Sequence, residues 1–424
     1  MQLYKNNITC YLENFIFEEN KNLTLSPTGY KTTVGKVIVN GIEIPKFVNE
    51  FWTSKQRQSV SIHEISYRAC FKAQLPHFFI NLLTETGNVV YDPFSGRGTT
   101  IIEAALLNRR VISNDINPLS KILAYPRLSV PEIGKVYRRL DSIPTYKSLK
   151  ADRDLSMFFH PATESELVSL QLYLENRKAS GAEDEVDRWI RMVATNRLTG
   201  HSPGFFSVYT LPPNQAVSPG SQLKINKKRN QKPDYRDTKK LIIRKTNSLL
   251  RNLTPAMVDN LKKSYKSALF IENDARNTKP IESNSVDLIV TSPPFLDVVQ
   301  YSRDNWLRCW FNVIDTEKIE KKITMSRTVG EWSRVIGKVL NELYRVTKPG
   351  GWVVFEVGEV KSGKINLEEH VVPLGQVAGF ECTGILINQQ EFTKTSNIWG
   401  IKNNRIGTNT NRIVLFHKNP YCGV

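Results

Sequence analysis

The chain has 424 residues, of which 40% are hydrophobic and 23% charged, the proportions of a folded protein larger than one typical domain. A formal net charge of +17 favours a polyanionic partner, and nucleic acid is the expected one, although a merely soluble basic surface gives the same count. Five scattered cysteines form no CxxC pair and lack histidines at zinc spacing, so we expect no metal. We find neither a signal peptide nor a stretch of ~20 apolar residues, which predicts no membrane association and a cytoplasmic protein at a bacterial chromosome.

Apolar runs with strand character occur in two separated blocks, with helical patterns between them. The first block holds NVVYDPF and RVISNDIN, and the second holds SALFIENDAR, VDLIVTSPPF, GWVVFEVGEV, FECTGILIN and RIVLFHK. Strands that alternate with helices are typical of an α/β fold with a mainly parallel sheet. The sequence therefore predicts seven strands flanked by helices.

The two blocks suggest four segments along the chain. Residues 1–60 form an N-terminal extension, 61–128 one half of the core, 129–266 an insertion, and 267–424 the other half of the core. The insertion contains helical patterns followed by a strongly basic passage from Lys224 to Lys245, which is either a solvated charged face or a phosphate-contacting surface.

The segment DPFSGRGTT, residues 92–100, lies directly between a strand and a helix. Gly96 and Gly98 permit a tight bend and close approach of a ligand to the backbone, and Thr99 is in position to cap the helix. Asp115 ends the next strand, about where dinucleotide-binding folds carry an acid for ribose hydroxyls, and Asp274 ends a third. Each acid alone could equally be a cap or turn former, but together they predict a ligand crevice at one edge of the sheet. The loop lacks the Lys-Ser/Thr end of a P-loop, which disfavours a phosphate ligand.

A second motif, TSPPF, follows another apolar strand. Two prolines remove N–H donors and stiffen the backbone, so carbonyl groups and the Ser292 hydroxyl stay free to accept hydrogen bonds from an amine. Phe295 would offer a face for stacking. For this motif by itself, a Pro-Pro turn that closes the strand, with Phe295 in the core, is the structural alternative.

Together, the two motifs resemble those of the amino-methylating DNA branch of class I, Rossmann-like S-adenosylmethionine methyltransferases. The resemblance covers roughly residues 61–128 and 267–424 and implies S-adenosyl-L-methionine as the cofactor. The catalytic residues it implies are Ser292, Pro293, Pro294 and Phe295. The cofactor-binding residues it implies are Phe71, Lys72, Asp92, Pro93, Phe94, Gly96, Gly98, Thr99, Thr100, Asp115, Ile116, Asp274 and Ala275.

The resemblance also indicates the substrate and partners. A leading serine in the [DNS]PP[YFW] motif accompanies cytosine N4 more often than adenine N6, so we expect methylation of cytosine N4 in double-stranded DNA with base flipping. The likeness further suggests a companion restriction endonuclease and a monomer or weak dimer. Adenine-N6 methylation, guanine-N2 methylation of RNA and a non-catalytic DNA-binding role remain alternatives. Carbon methylation of cytosine lacks its Pro-Cys nucleophile, and zinc-dependent deamination lacks its ligands.

Candidate DNA contacts come from two regions. The insertion supplies basic residues and an aromatic, hydroxyl-rich passage, GHSPGFFSVYTLPPNQAVS, and an Asn-, Thr- and Arg-rich loop precedes the last strand. Surface loops of structural origin would have the same composition. The residues we expect to contact DNA are Lys227, Lys228, Arg229, Lys232, Arg405, Asn411 and Arg412.

Overall fold

The structure is a computed structural model. It describes residues 8–16, 31–52, 59–68, 70–212, 215–294, 304–322, 326, 328–360, 365–389 and 411–420.

The chain forms an α/β fold in which strands and helices alternate through both halves of the core. Its strands are β1 (Thr33–Val39), β2 (Ile42–Asn49), β3 (Val89–Asp92), β4 (Arg110–Asn114), β5 (Leu269–Ile271), β6 (Val286–Thr291), β7 (Thr347–Val357), β8 (Glu359–Val360), β9 (Ile365–Asn366), β10 (Glu381–Asn388) and β11 (Asn411–His417). Its α-helices are α1 (Ile8–Glu13), α2 (Gln74–Leu83), α3 (Thr99–Leu106), α4 (Leu119–Ala124), α5 (Ile133–Ser142), α6 (Pro161–Ala179), α7 (Glu185–Arg197), α8 (Pro219–Arg229), α9 (Thr238–Leu250), α10 (Pro255–Ser267), α11 (Trp306–Phe311), α12 (Thr316–Lys322), α13 (Val329–Val346) and α14 (Leu367–Val377).

The main sheet has the order β1-β2-β10-β11-β7-β6-β3-β4-β5. The run from β7 through β6, β3 and β4 to β5 is parallel, whereas β11 lies antiparallel between β7 and β10. All seven strands predicted from the sequence are present, in a mostly parallel sheet. Because β3, β4 and β6 run in the same direction, their carboxyl ends meet at one edge.

Two N-terminal strands that the sequence analysis did not predict extend this sheet to nine strands. β1 and β2 form a hairpin, and β2 pairs in parallel with β10. The turn residues Asn40 and Gly41 both have positive φ, 51° and 80°, as a two-residue type I′ turn requires. The Asn-Gly dipeptide between two β-branched runs was the signal available for this hairpin.

Helices cover both faces of the sheet. α3 packs against α2 and α10 on one face, and α13 packs against α14 on the other. The insertion folds as the helices α5 to α10, and its buried Trp189 belongs to the same hydrophobic cluster as Val90 of β3. The Trp189 Nε1–H also donates to Thr246 Oγ1 over 3.1 Å, so the insertion helices are held together internally.

None of the helices in the described ranges is long and apolar enough to cross a membrane.

Candidate active site

A cleft that is partly open to solvent lies at the carboxyl edge of the parallel strands. The glycine bend lines it through Asp92, Phe94 and Gly96, and the proline motif lines it through Ser292 and Pro294. The motifs are about two hundred residues apart in the chain, but β3 and β6 are hydrogen-bonded neighbours, with Tyr91 opposite Ile289. This pairing brings the two motifs together in one cleft.

Asp92 at the end of β3 and Asp115 just after β4 both accept hydrogen bonds from uncharged groups. Asp92 Oδ1 accepts from Thr291 Oγ1 over 2.7 Å and from the Phe94 amide over 3.1 Å. Asp115 accepts from the Gly96 amide over 2.8 Å and from the Asn117 amide over 2.9 Å. Burial raises the pKa of Asp92 to about 7 and that of Asp115 to about 6. A cationic ligand beside Asp92 would stabilise its charged form.

Gly98 shapes the bend without lining the cleft. Its φ is +77°, and a Cβ built on it would lie 2.5 Å from the Ala124 Cβ, so no other residue fits without rearrangement. Gly98 is also the N-cap of α3, where no side chain provides a cap. The predicted capping role of Thr99 is therefore wrong, because Thr99 is the first residue of the helix and its hydroxyl accepts from Arg97 Nε over 3.1 Å.

At the third strand end, Asp274 and Ala275 both line the cleft. The Asp274 carboxylate forms an ion pair with Arg276. Partial burial would raise the pKa of Asp274, but the Arg276 hydrogen bonds outweigh that effect and lower it. The ion pair with Arg276 thus favours the charged form of Asp274 and orients its carboxylate.

The proline motif is held by two neighbours that the sequence analysis did not predict. Ser292 lies beside the buried Glu356 of β7 and lowers its pKa by hydrogen bonding, and Asn411 of β11 donates to Glu356 Oε1. Burial raises the pKa of Glu356 to about 7 in spite of these bonds. On the other side, Trp332 Nε1 donates to the Pro294 carbonyl over 2.9 Å. The proline motif therefore has a carboxylate that can accept a proton, Glu356, beside Ser292. It also has an aromatic side chain, Trp332, bonded to the Pro294 carbonyl.

Most of the residues predicted for the cofactor line the cleft. They are Phe71, Asp92, Pro93, Phe94, Gly96, Thr99, Asp115, Ile116, Asp274 and Ala275. Thr100 is instead buried, with its hydroxyl bonded to the Val290 carbonyl over 3.1 Å, and Lys72 and Pro293 are not among the lining residues. Burial lowers the pKa of Lys72. Phe295 lies outside the described residues.

Other lining residues were missed by the sequence analysis. Trp332, Val335, Ile336 and Val339 come from one face of α13, and their i, i+3, i+4, i+7 spacing indicates only a helix with one apolar face. Tyr67 and Cys70 precede Phe71 and Lys72 in the chain, and the resemblance implied only the latter two as cofactor-binding residues. Nothing in the spacing alone distinguishes a cleft-lining face from a core face.

The predicted DNA contacts have different outcomes. Lys227, Lys228, Arg229 and Lys232 are exposed around the end of α8, and the Arg229 guanidinium lies 3.8 Å from the centre of the Tyr209 ring. Asn411 bonds Glu356 and Arg412 pairs with the buried Glu368, so both side chains have partners within the protein, and their contact with DNA stays a prediction. Both side chains are half-buried. Arg405 lies outside the described residues.

The donor set of the cleft fits S-adenosylmethionine. Asp92 offers a buried carboxylate that accepts hydrogen bonds from a hydroxyl and an amide, which suits it to an ammonium group, and Asp115 offers one at a strand end, suited to hydroxyls. Among the described residues, no group of three His, Cys, Asp or Glu side chains could hold a metal ion.

Fold and cleft together define a class I, Rossmann-like methyltransferase. The family model described as "DNA methylase" matches residues 18–124 and 286–422, more than half of the chain. The protein therefore belongs to the N6/N4 DNA methylase family, whose methyl donor is S-adenosylmethionine.

Individual relatives are distant. The chain is 25% identical to the Type II methyltransferase M.BsoBI of Geobacillus stearothermophilus over 372 residues. This alignment covers 80% of this chain and 70% of the relative. It is 28% identical over 88 residues to the Type II methyltransferase M.MjaII of Methanocaldococcus jannaschii, covering 20% and 17%. A DNA modification methylase from Thermus thermophilus, solved with S-adenosyl-L-methionine, is 22% identical over 35% of this chain and 54% of its own. Its TM-score of 0.21 is too low to support an inference.

Proposed function

We propose that the protein methylates cytosine N4 in double-stranded DNA. The observation that carries this proposal is the single cleft lined by both the glycine bend and Ser292. A serine at the head of the proline motif favours cytosine N4 over adenine N6. Adenine N6 stays the nearest alternative, because the surrounding chemistry serves either amine.

The chain's own residues would orient the amine. Ser292 Oγ would accept one of its N–H groups, which localises the nitrogen lone pair and fixes its direction of attack. Glu356 holds the Ser292 hydroxyl as a donor to its carboxylate, so that the serine lone pairs remain available to the substrate. Bound S-adenosylmethionine supplies an electrophilic methyl group. The nitrogen becomes cationic as it gains the methyl group, and its proton then leaves, with the Ser292–Glu356 pair in position to receive it.

Trp332 and Asp92 would keep this corner rigid. The indole N–H occupies the Pro294 carbonyl, and Thr291, the residue before Ser292, donates to Asp92. Asp92, the proposed ligand of S-adenosylmethionine, is thus hydrogen-bonded to β6, the strand that carries Ser292, the proposed ligand of the target amine. Proximity effects depend on such rigidity, because misplacement by an ångström is costly.

A base inside a duplex cannot reach this cleft, so we infer that the target nucleotide is flipped out of the stack. The similarity to two proteins named Type II methyltransferases supports a restriction-modification setting with a companion endonuclease. We also propose a monomer or weak dimer that acts at the bacterial chromosome. The exposed Lys227, Lys228, Arg229 and Lys232 would contribute phosphate contacts.

The experiment incubates the protein with tritiated S-adenosylmethionine and, separately, genomic DNA and total RNA, then identifies the labelled nucleoside by mass spectrometry. N4-methylcytosine in DNA is the expected product. N6-methyladenine would overturn the target base, label confined to RNA would overturn the substrate class, and binding of DNA without transfer would overturn the enzyme.

A pair of serine variants tests the assigned site within the same assay. Ser292→Ala should lose transfer by about 10²-fold or more while it keeps cofactor affinity. Ser285→Ala, at a partly exposed serine of the turn before β6, serves as the control with wild-type turnover. Full turnover by Ser292→Ala would contradict the amine-orienting role.

A further inference from the structure

Three arginines converge on the loop of residues 200–206. Arg197 at the end of α7 stacks on the Phe205 ring, with its guanidinium carbon 3.9 Å from the ring centre. Arg236 donates to the Ser202 and Phe205 carbonyls, each over 3.1 Å, and Arg244 of α9 donates to the Pro203 carbonyl over 2.9 Å. We call Arg197, Arg236 and Arg244 the arginine cluster.

Two guanidinium groups of the cluster flank Gly204. A Cβ built on Gly204 would lie 3.4 Å from Arg244 Nη2 and 4.0 Å from Arg197 Nη1, so the two guanidinium groups flank that position. Arg197 Nε is buried and has no hydrogen-bond partner among the residues that the structure describes. Arg244 is exposed. Arg244 is therefore the member of the cluster that is most accessible to a ligand.

Positive charge around the cluster exceeds negative charge. Lys245 and Arg251 lie beside it and share the carboxylate of Glu64, while Arg236 pairs with the exposed Asp234. Burial and repulsion from Arg308 and Arg244 lower the pKa of Arg197 to about 10. Burial and repulsion from Arg197 lower the pKa of Lys245 to about 8. A polyanion at this place would relieve the repulsion.

A chain of contacts links the cluster to a residue of the cleft. Asn196, next to Arg197, donates to the Ser66 carbonyl over 3.2 Å, and Arg308 donates to the same carbonyl over 2.9 Å. The Arg308 guanidinium lies 5.6 Å from the Tyr67 ring, and Tyr67 lines the cleft. These contacts connect the cluster to the part of the cleft wall that Tyr67 forms.

We propose that the arginine cluster binds a backbone phosphate of the DNA substrate. Guanidinium groups match phosphate oxygens in geometry and charge, and a phosphate contact fixes the position of the duplex without reading its sequence. This inference rests on the proposed function and adds a contact that the basic residues at the end of α8 do not provide.

The test measures binding of a fluorescein-labelled duplex of arbitrary sequence by anisotropy over a range of salt concentrations. Each phosphate contact contributes about 0.9 to the slope of log K against log salt, so its loss weakens binding about eightfold near 0.1 M salt. Arg244→Gln should show that loss and a slope shallower by about one. Lys262→Gln, which removes an exposed charge on α10, is the matched control and should keep the wild-type slope.

A second variant gives the opposite sign. Glu64→Gln removes the carboxylate shared by Lys245 and Arg251, so it should tighten binding by up to about eightfold and steepen the slope. If the arginines only shape the loop, Glu64→Gln would not tighten binding and Arg244→Gln would match Lys262→Gln, and the inference would be overturned. If wild-type protein methylates DNA but the variants give these contradicting results, only the role of the arginine cluster is refuted. If wild-type protein is inactive on DNA, the proposed function itself is refuted.

Discussion

Replacing Glu356 with glutamine tests the buried acid behind Ser292. In the folded protein the pKa of Glu356 is raised from 4.5 to about 7 by burial. Because the folded value lies above the unfolded one, Glu356 stabilises the fold fully below pH 4.5, and that contribution is lost as pH rises through about 7. A difference of about 2.5 pKa units corresponds to about 3 kcal/mol.

Glu356→Gln keeps an oxygen for Asn411 but cannot ionise. Its free energy of unfolding should rise relative to wild type between pH 5 and pH 8.5 by about 2–3 kcal/mol, as measured by urea denaturation. Glu381→Gln, at an exposed glutamate, should show no such rise. A parallel pH dependence of wild type and Glu356→Gln would refute the placement of an ionisable group with a raised pKa at this site.

The same variant predicts an effect on activity. Glutamine replaces a charge-assisted hydrogen bond to Ser292 by a neutral one, which should slow transfer roughly tenfold. At saturating cofactor, the wild-type turnover rate should rise through about pH 7 while that of Glu356→Gln stays flat there. A purely structural role for Glu356 would leave the shape of the pH profile unchanged.

Three further substitutions address the cleft and Arg412, one of the predicted DNA contacts. Trp332→Phe removes the donor to the Pro294 carbonyl and should lower kcat about 3- to 10-fold with an unchanged KM for DNA in steady-state assays; a change in KM alone would contradict this. Gly98→Ala should cost about 2–4 kcal/mol in denaturant unfolding, against about 1 kcal/mol for Gly87→Ala, which shares positive φ but meets no atom within 4 Å; equal costs would contradict the crowding. Arg412→Ala should destabilise the fold by about 2–4 kcal/mol because it leaves Glu368 unpaired, while the salt dependence of DNA binding stays unchanged; a shallower slope would instead support Arg412 as a DNA contact.

The sequence was most informative where a motif requires one particular backbone. The glycine bend, the strand-end acids and the proline corner all follow from residue types with restricted conformations, and the parallel sheet then brings them to one edge. The Asn-Gly turn at residues 40–41 carried an equally specific signal for the N-terminal hairpin.

The contributions of distant segments could not be predicted in the same way. Glu356 reaches Ser292 because β7 pairs with β6, and Asn411 reaches Glu356 because β11 pairs with β7, and neither register is visible in the chain. Arg412 has the composition of a DNA contact, but its position at the start of β11 pairs it with Glu368. Trp332 lies on a helix whose apolar spacing suits a core face as well as a cleft.

We propose that S-adenosylmethionine, bound at residues 92–98, and the target amine, bound at Ser292, share one cleft. A crystal structure with bound S-adenosylhomocysteine and a duplex that contains the target base tests it most directly. We predict the sulfur between Gly96 and Ser292, with the flipped amine within hydrogen-bond distance of Ser292 Oγ and in line for transfer. Cofactor bound elsewhere, or a sulfur that faces away from Ser292, would contradict the account.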